Sequence, residues 1–329
     1  MAKVAINGLG RIGRATLKIV LETDALELAA INDLIPTDNL AYLLKYDSVY
    51  GRFPGTVEAE EDALVINGKR IPVTSIKDPA ELPWSDLGID VVFESTGIFT
   101  KADGLKKHLS AGAKYAILSA PAKSPEIATV VHGVNKPDDD SFFSCASCTT
   151  NSITPVVEVL GSKIGVKKAM LTTVHAYTSS QQIVDGPSKK RRRGRAAAAN
   201  LVPTSTGAAV ATAKALPQYE GKFDGVAIRT PVPVGSISDI TFVTERDTTV
   251  DEVNQLFRDA ADSDRYREVL GISEDQIVSS DIIQDPHASI VDLTMTQVVD
   301  GDLVKVMAWY DNEWGYSNQM VREAVRIAS

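Results

Sequence analysis

Apolar residues in the first half of the chain fall into short β-branched runs separated by stretches of helical period. Val4–Ile6 is followed by an amphipathic stretch, Ile12–Glu22, and then by Glu27–Ile31, the order of a parallel βαβ unit. Further runs at Asp90–Phe93, Tyr115–Leu118 and Thr129–Val131 each end where a polar or glycine-containing turn begins, so a doubly wound parallel sheet is predicted, with ligands collecting at the carboxyl ends of its strands. After Cys148 the texture changes to longer alternating segments, Ala169–Val174, Gly225–Thr230, Ser238–Val243, Ile290–Gln297 and Val304–Trp309, which read as an antiparallel or mixed sheet. The tail from Ser317 to Ala328 places Met320, Val321, Ala324, Val325 and Ile327 on one helical face, with Ser317 as its expected cap. The fold class expected is therefore α/β, with residues 1–148 forming the parallel-sheet domain and 149–312 an α+β domain whose sheet is mostly antiparallel. The helix over 313–329 is expected to return and pack on the first domain.

Composition narrows the picture. At 329 residues the chain exceeds one ordinary hydrophobic core, and its 44 % apolar and 23 % charged residues are those of a globular protein. The 43 acidic against 34 basic residues give a net charge of −9, which disfavours nucleic acid and anionic membranes as partners except at a local basic patch. Two cysteines, Cys145 and Cys148, make no disulfide framework, the start at Met1-Ala2-Lys3 leaves no room for a signal peptide, and no apolar run reaches the roughly 18 residues of a membrane span. A cytoplasmic location is expected on those grounds, and no metal site.

Two constellations carry chemistry. Asn7-Gly8-Leu9-Gly10-Arg11-Ile12-Gly13 fits Gly-x-Gly-x-x-Gly directly after a strand and at the opening of a helix, the context in which that motif binds a dinucleotide. Gly8 allows the tight turn, Gly10 a close approach of backbone to pyrophosphate, and Gly13 close packing of helix on strand. Asp33, 20 residues beyond Gly13, is placed to accept hydrogen bonds from both adenosine ribose hydroxyls and to repel a 2′-phosphate, which favours NAD over NADP. Asn32-Asp33 is also a common turn pair. The second constellation is Cys148, at the start of a helical run, with His175, which ends the strand Ala169–Val174. Helix-terminal amides favour a thiolate, and a neutral imidazole suits a general base. A lone cysteine is otherwise a small buried hydrophobe. His108, His132 and His287 read as solvated or capping residues.

Asn7–Arg14, Ser147–Asn151, Thr173–Thr178, Ser205–Ala208 and Trp309–Tyr316 together resemble the signatures of the glyceraldehyde-3-phosphate dehydrogenase family, across essentially the whole chain. The resemblance implies a Rossmann-type NAD domain, a homotetramer, and phosphorylating oxidation of glyceraldehyde 3-phosphate by NAD and inorganic phosphate through a thioester on Cys148, with His175 raising its reactivity. It implies that Thr178 and Arg229 hold the substrate phosphate, and Ser147, Thr149, Thr206 and Gly207 the attacking one. For the cofactor it points to Arg11 and Ile12 at the pyrophosphate, Asp33 at the ribose, Lys77, Thr96, Gly97 and Ser119 along the remaining path, and Asn312 at the nicotinamide amide. An erythrose-4-phosphate dehydrogenase is the nearest rival, disfavoured by Thr149, Thr206 and Gly207. An NADP-preferring relative is disfavoured by Asp33 and Pro187.

Two departures from the family pattern stand out. Cys145 replaces the usual asparagine three residues before the nucleophile, giving a Cys-x-x-Cys spacing that a redox pair would need, although a turn between strand and helix is expected to hold the sulfurs apart. The loop Lys189-Lys190-Arg191-Arg192-Arg193-Gly194-Arg195 carries six cations in seven residues, and a solvated or intersubunit surface suits it better than nucleic acid. The family's anion-binding arginine in this loop falls at Arg193 or Arg195.

Overall fold

The computed structural model describes residues 1–137 and 141–329. They form two compact units: Met1–His132, Lys136–Ala146 and Ser317–Ser329 make up the first, and Gly133–Asn135 with Ser147–Tyr316 the second.

The first unit is built on β1 (Ala2–Asn7), α1 (Arg11–Leu21), β2 (Leu26–Asn32), α2 (Thr37–Lys45), a two-stranded ladder β3 (Tyr46–Asp47) and β4 (Gly51–Arg52), a meander β5 (Val57–Glu60), β6 (Ala63–Ile66) and β7 (Lys69–Thr74), α3 (Trp84–Leu87), β8 (Val91–Glu94), α4 (Ala102–Ser110), β9 (Tyr115–Leu118), β10 (Ala128–Thr129) and β11 (Phe142–Ser144). Its nine-stranded sheet has the order β10-β11-β9-β8-β1-β2-β7-β6-β5, parallel from β10 to β7 and antiparallel along β7-β6-β5. Val4, Ala5 and Ile6 are fully buried, as a central parallel strand covered on both faces requires. Chain order leaves β1 toward β2 on one side and returns to β8 on the other, so the switch point lies at the carboxyl ends of β1, β2 and β8. A core cluster of Ala5, Ala30, Val92, Leu82, Ile89 and Trp84 packs beneath them.

The second unit comprises α5 (Cys148–Lys163), β12 (Val166–Ala176), β13 (Val202–Ser205), α6 (Ala208–Ala215), β14 (Phe223–Thr230), β15 (Ser236–Thr244), α7 (Val250–Asp262), β16 (Leu270–Ser273), β17 (Ser289–Asp292), β18 (Gln297–Val299) and β19 (Leu303–Tyr310). The sheet order is β13-β14-β12-β15-β19-β17-β16, with β18 on β19. It is mixed: β12 runs parallel to β14, while β15 and β19 are antiparallel to their neighbours. Helices α5 and α7 cover one face, burying Ile153, Val156, Leu160 and Phe257 against Leu171, Ile240, Phe242 and Val306. The α/β class and the mixed second sheet expected from the sequence are both present.

Three local expectations are corrected. The run Ile290–Gln297 is not one strand, because Asp292 Oδ1 accepts from the Thr294 amide (3.1 Å) and hydroxyl (2.6 Å) and bends the chain into a 3-10 turn, Leu293–Met295, before β18. Of the run Thr129–Val131 only Thr129 pairs as strand, together with Ala128 before it. The tail helix, α8 (Trp314–Ala328), is not capped by Ser317: Asp311 Oδ1 accepts from the amides of Glu313 (2.9 Å) and Trp314 (2.8 Å), and Ser317 is buried inside the helix.

Candidate active site

In the first unit, β1 delivers the chain at Asn7 into the glycine turn, and α1 begins at Arg11 with no side chain capping its first amides. A helix N-terminus of this kind suits an anionic ligand. A Cβ on Gly13 would lie 2.1 Å from the Gly8 carbonyl oxygen and one on Gly8, whose φ is +94°, 2.7 Å from the Thr96 nitrogen, whereas a Cβ on Gly10 would meet nothing within 4 Å. The turn is thus packed at its two ends and open in the middle, the shape a pyrophosphate needs. The cleft above it, about 510 Å³, is lined by Gly8, Gly10, Asp33, Lys77 and Thr96 among others. The buried Ser95 hydroxyl in its wall has no partner among the described residues. These features fit an adenine dinucleotide.

Asp33 does more than face the cleft. Its Oδ2 accepts from the Leu9 amide at 2.6 Å and its Oδ1 from the Ile35 amide at 3.0 Å, so the carboxylate also pins the glycine turn. The Arg11 guanidinium is held 2.8 Å from Asp47 and lies over the Tyr50 ring, which leaves its backbone, with that of Ile12, as the part able to meet a pyrophosphate. Gly97 and Ser119 follow the ends of β8 and β9 and are not among the residues lining the cleft.

In the second unit, Ser147 caps α5 by accepting from the Thr150 amide (3.1 Å), which places Cys148 in the first helical turn, half-buried. Parallel pairing of β12 with β14 sets His175 opposite Arg229. Cys148 Sγ lies 3.3 Å from His175 Nε2, and Arg229 Nη1 lies 2.6 Å from His175 Nδ1. The pair that the sequence suggested by role is therefore a contact. Burial, and then the Arg229 charge, lower the His175 pKa to about 3, so the imidazole is neutral at physiological pH. The thiol departs from expectation. Burial pushes it above its ordinary value and outweighs the pull of Arg229 and Thr149, so the resting state is a thiol beside a neutral base. The Ala176 carbonyl lies 2.7 Å from Nδ1 and accepts from Arg229 Nη1 at 2.9 Å; the ring can act as a base toward sulfur in the tautomer that carries its proton on Nδ1.

Thr149 and Tyr310 stand next to this pair. The Thr149 hydroxyl bonds the Tyr310 hydroxyl at 2.9 Å, which also bonds Thr173 at 2.8 Å, while the Tyr310 ring packs edge-on against His175. Thr178 Oγ1 bonds Ser180 Oγ at 2.8 Å, and Arg193 reaches the same Ser180 (3.3 Å) and Thr204 (3.1 Å). Arg195 is instead paired with Asp185 at 2.7 Å. Among the described residues neither Arg193 nor Arg229 is paired with a carboxylate, and burial lowers the pKa of both. Thr206 and Gly207 stand at the start of α6, with the Thr206 hydroxyl accepting from the Ala208 amide at 3.2 Å. Asn312 Oδ1 accepts from the Gly235 amide (3.2 Å) and the Ser236 hydroxyl (3.0 Å), leaving its amide nitrogen as the atom for a ligand.

Sequence reasoning missed Tyr310, which in an apolar strand reads as core, and misplaced His108. That ring is fully buried, with Trp84 Nε1 donating to its Nδ1 (3.1 Å) and its Nε2 3.0 Å from Glu94. Cys145 is buried, and burial raises its thiol well above the ordinary value, with the Glu323 charge adding to it, which disfavours a resolving thiolate.

A glycine-rich strand-to-helix turn with an acid at the next strand's end in the first unit, and in the second a cysteine in contact with a neutral histidine beside Arg229, are features of the class of dinucleotide-dependent dehydrogenases. Comparison with known proteins gives the family. Residues 2–102 match the model for the NAD binding domain of glyceraldehyde 3-phosphate dehydrogenase, and residues 147–312 match its C-terminal domain. The proteins named glyceraldehyde-3-phosphate dehydrogenase in Thermotoga maritima and Streptomyces coelicolor are 52 % and 49 % identical to the chain over 326 and 332 residues, covering 98 % and 99 % of it and 97 % and 98 % of the relatives. The one in Zymomonas mobilis is 49 % identical over 331 residues, covering 99 % of the chain and 98 % of the relative. The chain belongs to the glyceraldehyde-3-phosphate dehydrogenase family and is an NAD-dependent oxidoreductase.

Proposed function

We propose that the protein oxidises glyceraldehyde 3-phosphate with NAD and inorganic phosphate to 1,3-bisphosphoglycerate through a thioester on Cys148, as a cytoplasmic homotetramer. The observation that carries this reading is the 3.3 Å contact of Cys148 Sγ with His175 Nε2, next to the Arg229 guanidinium, which has no carboxylate partner among the described residues. His175 Nε2 takes the thiol proton as sulfur adds to the aldehyde carbon, and amides in the first turn of α5 favour the oxyanion that forms. Thr178 and Arg229 hold the substrate phosphate, with Arg193 alongside. Ser147, Thr149, Thr206 and Gly207 offer donors to the phosphate that attacks the thioester, and Tyr310 fixes Thr149 among them. NAD, when bound, supplies the acceptor for the hydride lost from the substrate carbon. Gly8, Gly10, Gly13, Asp33, Lys77 and Thr96 would hold its adenosine and pyrophosphate with the backbone of Arg11 and Ile12, followed by Gly97 and Ser119, and the Asn312 amide nitrogen its carboxamide.

The test is NADH formation from glyceraldehyde 3-phosphate, with and without inorganic phosphate, beside arms using erythrose 4-phosphate and NADP. Phosphate-dependent activity with NAD is expected. Activity indifferent to phosphate, or greater with erythrose 4-phosphate or NADP, would overturn the assignment of substrate or cofactor.

A further inference from the structure

Glu94 ends β8 and is fully buried, yet it takes no part in the chemistry above. Four donors converge on its two oxygens. Oε1 accepts from the Thr96 amide at 2.9 Å and from the Thr96 hydroxyl, and Oε2 from Asn7 Nδ2 at 2.6 Å and His108 Nε2 at 3.0 Å. The histidine's tautomer follows from its other partner: an indole N–H can only donate, so Nδ1 accepts from Trp84 and the proton sits on Nε2, facing Glu94.

Asn7 continues the chain of bonds. Its Oδ1 accepts from Asn32 Nδ2 at 2.7 Å, and Asn32 in turn grips both backbone atoms of Ile76, donating to the carbonyl (2.9 Å) and accepting from the amide (2.9 Å). Five buried side chains, Asn32, Asn7, Glu94, His108 and Trp84, thus form one ladder under the carboxyl ends of β2, β1 and β8. The ladder ends on the two walls of the cleft, Ile76 and Lys77 on one side and Ser95 and Thr96 on the other.

We propose that Glu94 is a positioning residue for NAD: by accepting four hydrogen bonds it anchors the ladder that fixes the spacing of the cleft walls. The proposal rests on the reading that this cleft holds NAD. Glu94 cannot be replaced silently by glutamine, because one of its two oxygens would become an NH2 group facing a donor that has nowhere to turn, the Thr96 amide on one side or the His108 Nε2–H on the other. Thr96 is fixed by its own backbone, and His108 by the Trp84 indole.

Glu94→Gln in the full chain is the test, with NAD and ADP-ribose binding followed by calorimetry and cofactor-free alkylation of Cys148 by iodoacetamide as a second readout. The expected result is a dissociation constant raised about tenfold or more for both ligands, the scale on which orphaned buried donors count, with the alkylation rate within about twofold of the unaltered protein. Binding unchanged in a folded Glu94→Gln protein would overturn the proposal. If that variant does not fold, His108→Leu decides, since it removes one donor from Glu94 behind the cleft: weaker binding by about threefold or more supports the ladder, and unchanged binding refutes it. Failure of the unaltered protein to bind NAD in the same titration would instead refute the reading of the cleft.

Discussion

His175 is buried beside the Arg229 guanidinium, and together these keep its ring neutral down to about pH 3. The unfolded chain binds a proton on this residue below about pH 6.5, where the folded one does not, so this contribution to stability is complete above 6.5 and is lost as pH falls toward 3. In urea unfolding at pH 5, 6 and 7, His175→Asn should therefore show a shallower fall in stability with acid than the unaltered protein, and equal slopes would contradict the burial effect. The same variant should lose about 10²- to 10⁴-fold in kcat, the usual worth of a positioned base. Steady-state rates at saturating substrate check it. Both members of the pair were legible in the sequence, because a cysteine at a helix start and a histidine at a strand end each have a local signature. What sequence could not supply was Arg229's place against the ring, which depends on strand pairing 54 residues away. Nor could it show the buried His108, whose partners Trp84 and Glu94 come from other elements.

At the level of elements, the start of α5 and the turn before α1 are the two pieces on which the site depends. Ser147→Ala removes the oxygen that accepts from the Thr150 amide and should cost about 1 kcal/mol of stability, measured by denaturant unfolding. The glycine turn separates packing from binding. Gly13→Ala drives a Cβ to 2.1 Å from backbone oxygen and should prevent native folding, whereas Gly10→Ala, with open space around it, should fold and yet bind NAD at least about tenfold more weakly. A Gly10→Ala protein with unchanged affinity in a binding titration would show that the pyrophosphate does not approach there. Element types were readable where the period was clear, in β1, α1, β9 and β19. They were lost where a single side chain cut the pattern, as Asp292 does between β17 and β18, and no element was foreseen in the meander of β5, β6 and β7, whose short strands carry little periodic signal.

For the molecule as a whole, the sheet of the second unit exposes Met170 (64 %) and Val226 (51 %) on neighbouring strands, with Leu303 (39 %) further along. Apolar side chains grouped on a sheet face are what an assembly of subunits would cover. The proposed homotetramer predicts a sedimentation mass four times that of the chain, and Met170→Glu should lower it. A monomeric unaltered protein would remove the tetramer from the reading.

The double duty of Asp33 has a consequence for anyone who would re-engineer the coenzyme preference. Deleting the carboxylate to admit a 2′-phosphate also deletes the acceptor for the Leu9 and Ile35 amides, so the glycine turn proposed to meet the pyrophosphate would loosen as the repulsion disappears. Selectivity and grip are therefore not independent design variables at this position. Asp33→Asn, which keeps one acceptor oxygen while discarding the charge, is the gentler first move.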